Sequence, residues 1–231
     1  MINKITITGA DDHTDINDMI RISKQFPLVE WGILFSKNRQ GTQRYPSYEW
    51  VRKLREVLPD YPLNLSAHLC GNWTKDIFQG KFSWIVEETG YLMMFQRLQL
   101  NFNCQANPYN LAKFVSLIQK YPDYQFILQE NKSNELFNRE VRSELENIAF
   151  LYDSSGGRGT PIQIPPPRPI MDFYTGYAGG LNPDNVLDMV GALAPISNSV
   201  NVWIDVETGV RTNDVLDMVK VEEFLTNATN K

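Results

Sequence analysis

Eight short apolar runs alternate with longer amphipathic segments along 231 residues, and polar or ionisable residues collect where those runs end. Together these observations predict an α/β fold, a (β/α)8 or TIM barrel that forms one domain over residues 1–231. At this length a count of eight favours a closed barrel over an open doubly wound sheet, with right-handed crossovers between parallel strands.

The strand-like runs, in order, are "KITIT" (4–8), "VEWGILF" (29–35), "LNLSAH" (63–68) and "RLQLNF" (97–102), followed by "QFILQ" (125–129), "IAFLYD" (148–153), "MDFYTG" (171–176) and "NVWIDV" (201–206). Each is short and apolar or alternating, as buried parallel strands are. Between them, apolar residues recur at three and four in "INDMIRISKQF" (16–26), "SYEWVRKLREVL" (47–58), "NPYNLAKFVSLIQKY" (107–121) and "NPDNVLDMVGALA" (182–194). Several of these open on Asp, Asn or Ser, some followed by Pro, the chemistry of a helix start. "DVLDMVKVEEFLTNA" after the eighth run reads as the closing helix. "TPIQIPPPRPIM" (160–171) lies where a sixth helix belongs, and its prolines predict that this helix is replaced or distorted.

A net charge of −5 without a Lys/Arg block argues against nucleic acid as a partner. No run approaches the ~20 apolar residues of a membrane span. The opening "MINKITITGADDHTD" lacks a signal peptide's apolar core, so a cytoplasmic location is expected. Two cysteines, Cys70 and Cys104, and two histidines, His13 and His68, are too few for a disulfide framework or a thiolate or imidazole metal cage, and no metal or cofactor is expected. The tryptophans are scattered at core-like spacing and read as packing.

A barrel of this kind places its site at the carboxyl ends of the strands. That filter selects Thr8 and the following "GADDHTD", then Ser36, Lys37, Arg39 and Arg44, then His68 and Cys70. It continues with Asn101, Asn103, Gln129, Glu130, Asp153, Ser154, Tyr177, Asp205 and Glu207. In "YAGGLNPDNV" (177–186), Gly179 and Gly180 allow close backbone approach, and Asn182, Pro183 and Asp184 open a helix whose free N–H groups favour an anion. "DVETGV" (205–210) supplies Thr208 and Gly209 from the next loop, and barrels commonly hold phosphate between these two loops. Arg158, inside "GGRG", is a further group able to reach an anion.

Three consecutive blocks, "FLYDSSGGRGT" (150–160), "YAGGLNPDNV" and "WIDVETGVRTNDVLDMVKVEEFL" (203–225), resemble phosphoribosylanthranilate isomerase, a (β/α)8 enzyme of tryptophan biosynthesis. "WGILFSKNRQGTQRYPS" (31–47) and "RLQLNFN" (97–103) match the family more weakly. The resemblance implies Asp153 as general acid, Gly179, Gly180 and Asn182 as one phosphate loop, Thr208 and Gly209 as the other, and Arg44 as the arginine facing the substrate.

The departure lies on strand one, where the family carries a cysteine as general base and this chain has Thr8. A threonine hydroxyl takes no proton at neutral pH unless another base activates it. Asp11, Asp12 or His13, close to that strand end, could replace the cysteine. In the Asp11–Asp12 pair, burial or the like-charged neighbour would raise a carboxylate's pKa. A solvated acidic turn, or a helix cap at Asp15 with acids ahead of it, is the alternative. His68 and Cys70, on alternate strand positions, face one side; His68 is a second candidate base. Thr8 and Glu207 complete the substrate-facing set with Arg44.

The function these residues predict is acid–base isomerisation, epimerisation or lyase chemistry on a phosphorylated sugar or phosphoribosyl compound. A non-catalytic phosphate-ligand binder or sensor is the first alternative. A true phosphoribosylanthranilate isomerase with a substituted base is the second. The expected partner is thus a small phosphorylated substrate, with neither nucleic acid nor membrane, and a homodimer is left open.

Overall fold

The computed structural model describes residues 1–82, 90–153, 164, 166–170, 173–197 and 200–229. Parallel pairing runs unbroken through β1 (Ile2–Thr8), β2 (Val29–Ser36), β3 (Leu65–Cys70), β4 (Arg97–Asn101), β5 (Gln125–Glu130), β6 (Ile148–Asp153), β7 (Tyr174–Ala178) and β8 (Val202–Val206). β8 pairs back onto β1, so the sheet closes and leaves no edge. All eight expected strands are present, and the seventh lies nearer the carboxyl side than the sequence pattern placed it.

Seven helices surround the barrel among the described residues: α1 (Ile16–Gln25), α2 (Tyr48–Val57), α3 (Asn72–Phe78), α4 (Leu111–Ile118), α5 (Glu135–Val141), α6 (Val186–Ser197) and α7 (Met218–Thr229). Their starts follow the local chemistry. The side chains of Asp15, Ser47 and Asn110 accept from the N–H groups of Asn17, Trp50 and Lys113, which the first helical turn leaves unpaired. The short α3 and α5 fall outside the segments that periodicity marked, because seven residues carry too little pattern.

The closing helix begins later than its apolar spacing suggested. Val215 and Leu216 pair antiparallel with Arg211 and Thr212 in a two-stranded ribbon, β9–β10, and the helix follows. Asn213 and Asp214 make the turn with positive φ, a conformation in which Asn and Asp are enriched. Most of the proline-rich stretch lies outside the described residues. Residues 166–170 carry no helix, and the hydroxyls of Tyr152 and Tyr177 donate to the carbonyls of Arg168 and Pro167.

Alternation decides which side chains fill the barrel. Ile5, Ile7, Trp31, Ile33, Leu98, Phe126 and Phe150 point outward into the main core beneath the helices. The interior is largely polar. Near the amino end Arg97 meets Glu30 at 2.7 Å, Thr6 donates to the same carboxylate (2.9 Å), and Lys4 lies 3.5 Å away. The Arg97 guanidinium also stacks 4.3 Å from the Trp203 ring centre. That ring lies flat on β7 because position 176 is glycine; a Cβ there would sit 2.1 Å from the indole.

Removing one member of a buried ion pair strands the other charge, at a cost of about 3–5 kcal/mol. Arg97→Met is therefore expected to lose about that much stability in urea unfolding, and Glu30→Gln added to it should restore a large part.

Candidate active site at the carboxyl end of the barrel

Above this plug, at the carboxyl ends of the strands, lies a cavity of about 310 Å³, at the lower end of the range for small-molecule sites. Among the residues singled out in the sequence, Thr8, His68, Asn101, Gln129, Asp153, Gly179, Gly180, Asn182, Asp205, Glu207, Thr208 and Gly209 line it. Asp11 and Arg44 do not, and the reasons are physical.

Asp11 is fully buried, and its carboxylate serves as a strap between loops. One oxygen accepts from the His13 N–H (3.0 Å), the other from the Arg44 N–H (2.8 Å), and Arg211 lies 3.4 Å from the second. Asp12 accepts from the backbone and hydroxyl of Ser47 at the head of α2. Asp11, a candidate base on sequence, thus ties loops together outside the cavity lining.

Arg44 is likewise committed. Its guanidinium donates to Glu207 (2.8 Å) and to Asp214 (2.6 Å), and its backbone takes the left-handed φ of +71°. It reaches the cavity only through Glu207, so the arginine expected to face a substrate instead clamps the β2 loop onto the β9–β10 ribbon.

His68 is placed as alternation predicted, but its chemistry is not that of a ready base. Burial, aided by the positive charge of Arg97, pushes its pKa down to about 3. It stands as a neutral imidazole with Nε2 3.1 Å from the Ser66 hydroxyl. Gly32 makes the room: a Cβ there would lie 2.5 Å from the Thr8 hydroxyl and 2.9 Å from the His68 ring. Cys70 sits off the cavity lining, where its sulfur accepts from the Asn101 amide and burial raises its thiol pKa.

The residue to which the sequence assigned no role is Asp205. Burial raises its carboxyl pKa to about 8, and the negative charges of Glu207, Glu30 and Asp153 add to that rise. The Thr8 hydroxyl donates to its Oδ1 at 2.8 Å and only partly offsets the rise. At neutral pH Asp205 is therefore mainly a carboxylic acid, a proton donor on the cavity wall. Asp153 faces the same cavity, with Oδ2 accepting from Gln129 (3.1 Å). Asp153 and Asp205 thus line one cavity, and carboxyl groups are among the residue types that general acid–base chemistry uses.

The β7 and β8 loops interlock. A Cβ on Gly209 would meet the Leu181 carbonyl oxygen at 1.9 Å and the Asn182 Cβ at 2.8 Å, so only glycine permits this approach. Gly179 and Gly180 take φ of +119° and +61°. The helix start differs from expectation. Residues 183–185 form a turn and α6 begins at Val186. The N–H groups of Asp184 and Asn185 donate to the Asn182 side chain. Those two amides are spent within the loop, and the Gly180 carbonyl accepts from the Asn185 side chain (2.9 Å). Arg158 lies outside the described residues.

Closed barrel and carboxyl-end cavity define a TIM barrel with the layout of an enzyme of that fold. No family model matches the chain. The N-(5′-phosphoribosyl)anthranilate isomerase of Desulfitobacterium hafniense (strain Y51) is 34% identical over 91 residues, which cover 34% of this chain and 36% of that protein, about a third of each.

In structure, the chain is similar over its whole length to the phosphoribosyl anthranilate isomerase from Thermococcus kodakaraensis, with a TM-score of 0.60, 15% identity and 100% of both chains covered. Triosephosphate isomerase from Bartonella henselae superposes with a TM-score of 0.55 at 10% identity, covering 99% of this chain and 100% of that one. The protein is a TIM barrel with a partial sequence similarity to phosphoribosylanthranilate isomerases, and at these identities the structural likeness speaks to the fold. Among the described residues no group of three or more His, Cys, Asp or Glu is arranged to hold a metal, and no helix is long and apolar enough to cross a membrane.

Proposed function

We propose that this chain is an enzyme that moves protons within a phosphorylated sugar or phosphoribosyl compound, as an aldose–ketose isomerase, epimerase or lyase does. The observation that carries the reading is that Asp205 and Asp153 both line the cavity, where burial raises the pKa of Asp205. Asp205 delivers a proton to a substrate oxygen. Asp153 takes one from the carbon beside the carbonyl, and the exchange is completed in the reverse sense. This redistributes the roles implied by resemblance, in which Asp153 is the acid. It also removes the need for a base at Thr8, whose hydroxyl orients Asp205. The phosphate rests against the interlocked β7 and β8 loops.

Thermal-shift titration tests the anchor. Inorganic phosphate at ~100 times its dissociation constant should stabilise the fold by about 2.7 kcal/mol. Gly180→Glu, which adds bulk and negative charge beside the loop, should abolish the shift while the unliganded protein still melts cooperatively. No shift in the wild type would remove the phosphate from the proposal.

Thr8 in the place of the family's cysteine favours one other reading, a barrel that binds a phosphorylated ligand without turning it over. In that case Asp153→Asn and Asp205→Asn would leave affinity intact and there would be no turnover to lose. Complementation of a tryptophan auxotroph separates out a true phosphoribosylanthranilate isomerase.

A further inference from the structure

The wall of the cavity away from the glycine loops is built of amides. Strand alternation brings Gln99 and Asn101 of β4 to one side of the barrel, next to Gln129 of β5. Gln99 is only 5% exposed; its Nε2 donates to Asn101 Oδ1 (3.0 Å) and its Oε1 has no partner among the described residues. A buried carbonyl oxygen left unpaired is unfavourable until a donor reaches it. The ionisable side chains lining the cavity are His68, Asp153, Asp205 and Glu207, and no Lys or Arg lines it among the described residues. Arg44, the cation nearest in kind to a carboxylate receptor, is held by Glu207 and Asp214.

On the reading that the phosphate sits against the β7 and β8 loops, we infer that the rest of the ligand is an uncharged, hydroxyl-rich sugar or polyol chain, not an aromatic carboxylate. Hydroxyls donate to Gln99 Oε1 and accept from the neighbouring amides. A second carboxylate would enter a wall of acceptors and acids, lose its water and gain no counterion from the described residues. A site that hydrogen-bonds a hydroxyl also discriminates against the analogue without it, because its own buried group is then left unpaired.

Calorimetric titration of the whole chain tests this with four probes: inorganic phosphate, ribose 5-phosphate, 2-deoxyribose 5-phosphate and the reduced analogue of the isomerase product, which carries a carboxyphenylamino group. Ribose 5-phosphate should bind at least about tenfold more tightly than phosphate, a single hydrogen-bonded group's worth of discrimination or more. The deoxy sugar should fall between them, and the carboxyphenyl compound should gain nothing over phosphate. Gln99→Met should erase most of the sugar's advantage and leave phosphate binding unchanged, which also reports that the variant is folded. Should that variant not fold, Asn101→Ala at the rim carries the same expectation.

Tighter binding of the carboxyphenyl compound than of ribose 5-phosphate overturns the inference, as does a sugar advantage that survives Gln99→Met. If phosphate binds and Gly180→Glu abolishes it, either result overturns the inference alone. If phosphate does not bind, the anchor fails and the inference falls with it.

Discussion

Asp205→Asn is expected to lower turnover by about 10²–10⁴-fold, the usual contribution of a positioned acid or base, and at the same time to make the protein more stable above neutral pH. Both effects come from one cause, the burial that holds the carboxyl pKa near 8. In the unfolded chain the same group ionises near its ordinary 3.8. Between those values the folded state binds the extra proton, so stability falls by about 1.4 kcal/mol for each pH unit gained. The loss is complete above pH 8. Asparagine keeps the shape and can accept the Thr8 hydroxyl but has no charge to bury. Its melting temperature should exceed wild type at pH 8, and the gap should close towards pH 4. His68, with its pKa lowered, acts in the opposite sense: its burial favours unfolding as pH falls from about 6.5 towards 3. The comparison is cleanest above pH 7, where His68 has no proton to gain. A rate that falls as pH rises through about 8 marks Asp205 as donor; a rate that rises there marks it as base.

Gly209→Val is the second large effect. The clash of an added Cβ with the Leu181 carbonyl oxygen, at 1.9 Å, cannot be relieved by a side-chain rotation because the obstacle is backbone. The two loops must part, at a cost of about 1–3 kcal/mol of stability. The site loses more than the fold does, because the cavity wall between Gly179 and Gly209 is formed by that contact. Phosphate affinity should drop by at least about 10²-fold, which is some 2.7 kcal/mol. Thr208→Ala, one residue away and without the backbone clash, should bind phosphate far better than Gly209→Val. Equal loss in both would mean that the threonine hydroxyl, and not the loop contact, matters.

The barrel was legible in the sequence because strands and helices differ in period, and eight buried strands leave eight short apolar runs. Boundaries drifted where a second structure interrupted a pattern, as at the β9–β10 ribbon inside the apparent closing helix. Of the candidate site, the rule that chemistry collects at strand carboxyl ends brought Thr8, His68, Asp153, the 179–182 loop and 207–209 into one cavity. The rule could not weigh them. Arg44 and Asp11 look like substrate groups until their partners, Asp214 and Arg211, are known, and those lie some 170 to 200 residues away in sequence. Asp205 looks like any loop aspartate until its burial beneath Thr8 is seen. The orphan carbonyl of Gln99 has no sequence signal beyond alternation in "RLQLN", which places three polar side chains inside the barrel.

The central claim is that Asp205 and Asp153 transfer protons on a bound sugar phosphate. Proton NMR in D2O tests it without requiring the full reaction: the protein is incubated with aldose and ketose phosphates, and the signal of the hydrogen beside the carbonyl is followed. The account predicts that this hydrogen exchanges for deuterium with wild-type protein and is retained with Asp205→Asn and with Asp153→Asn. Exchange that persists at the wild-type rate in both variants, or no exchange with any sugar phosphate that calorimetry shows to bind, would contradict it.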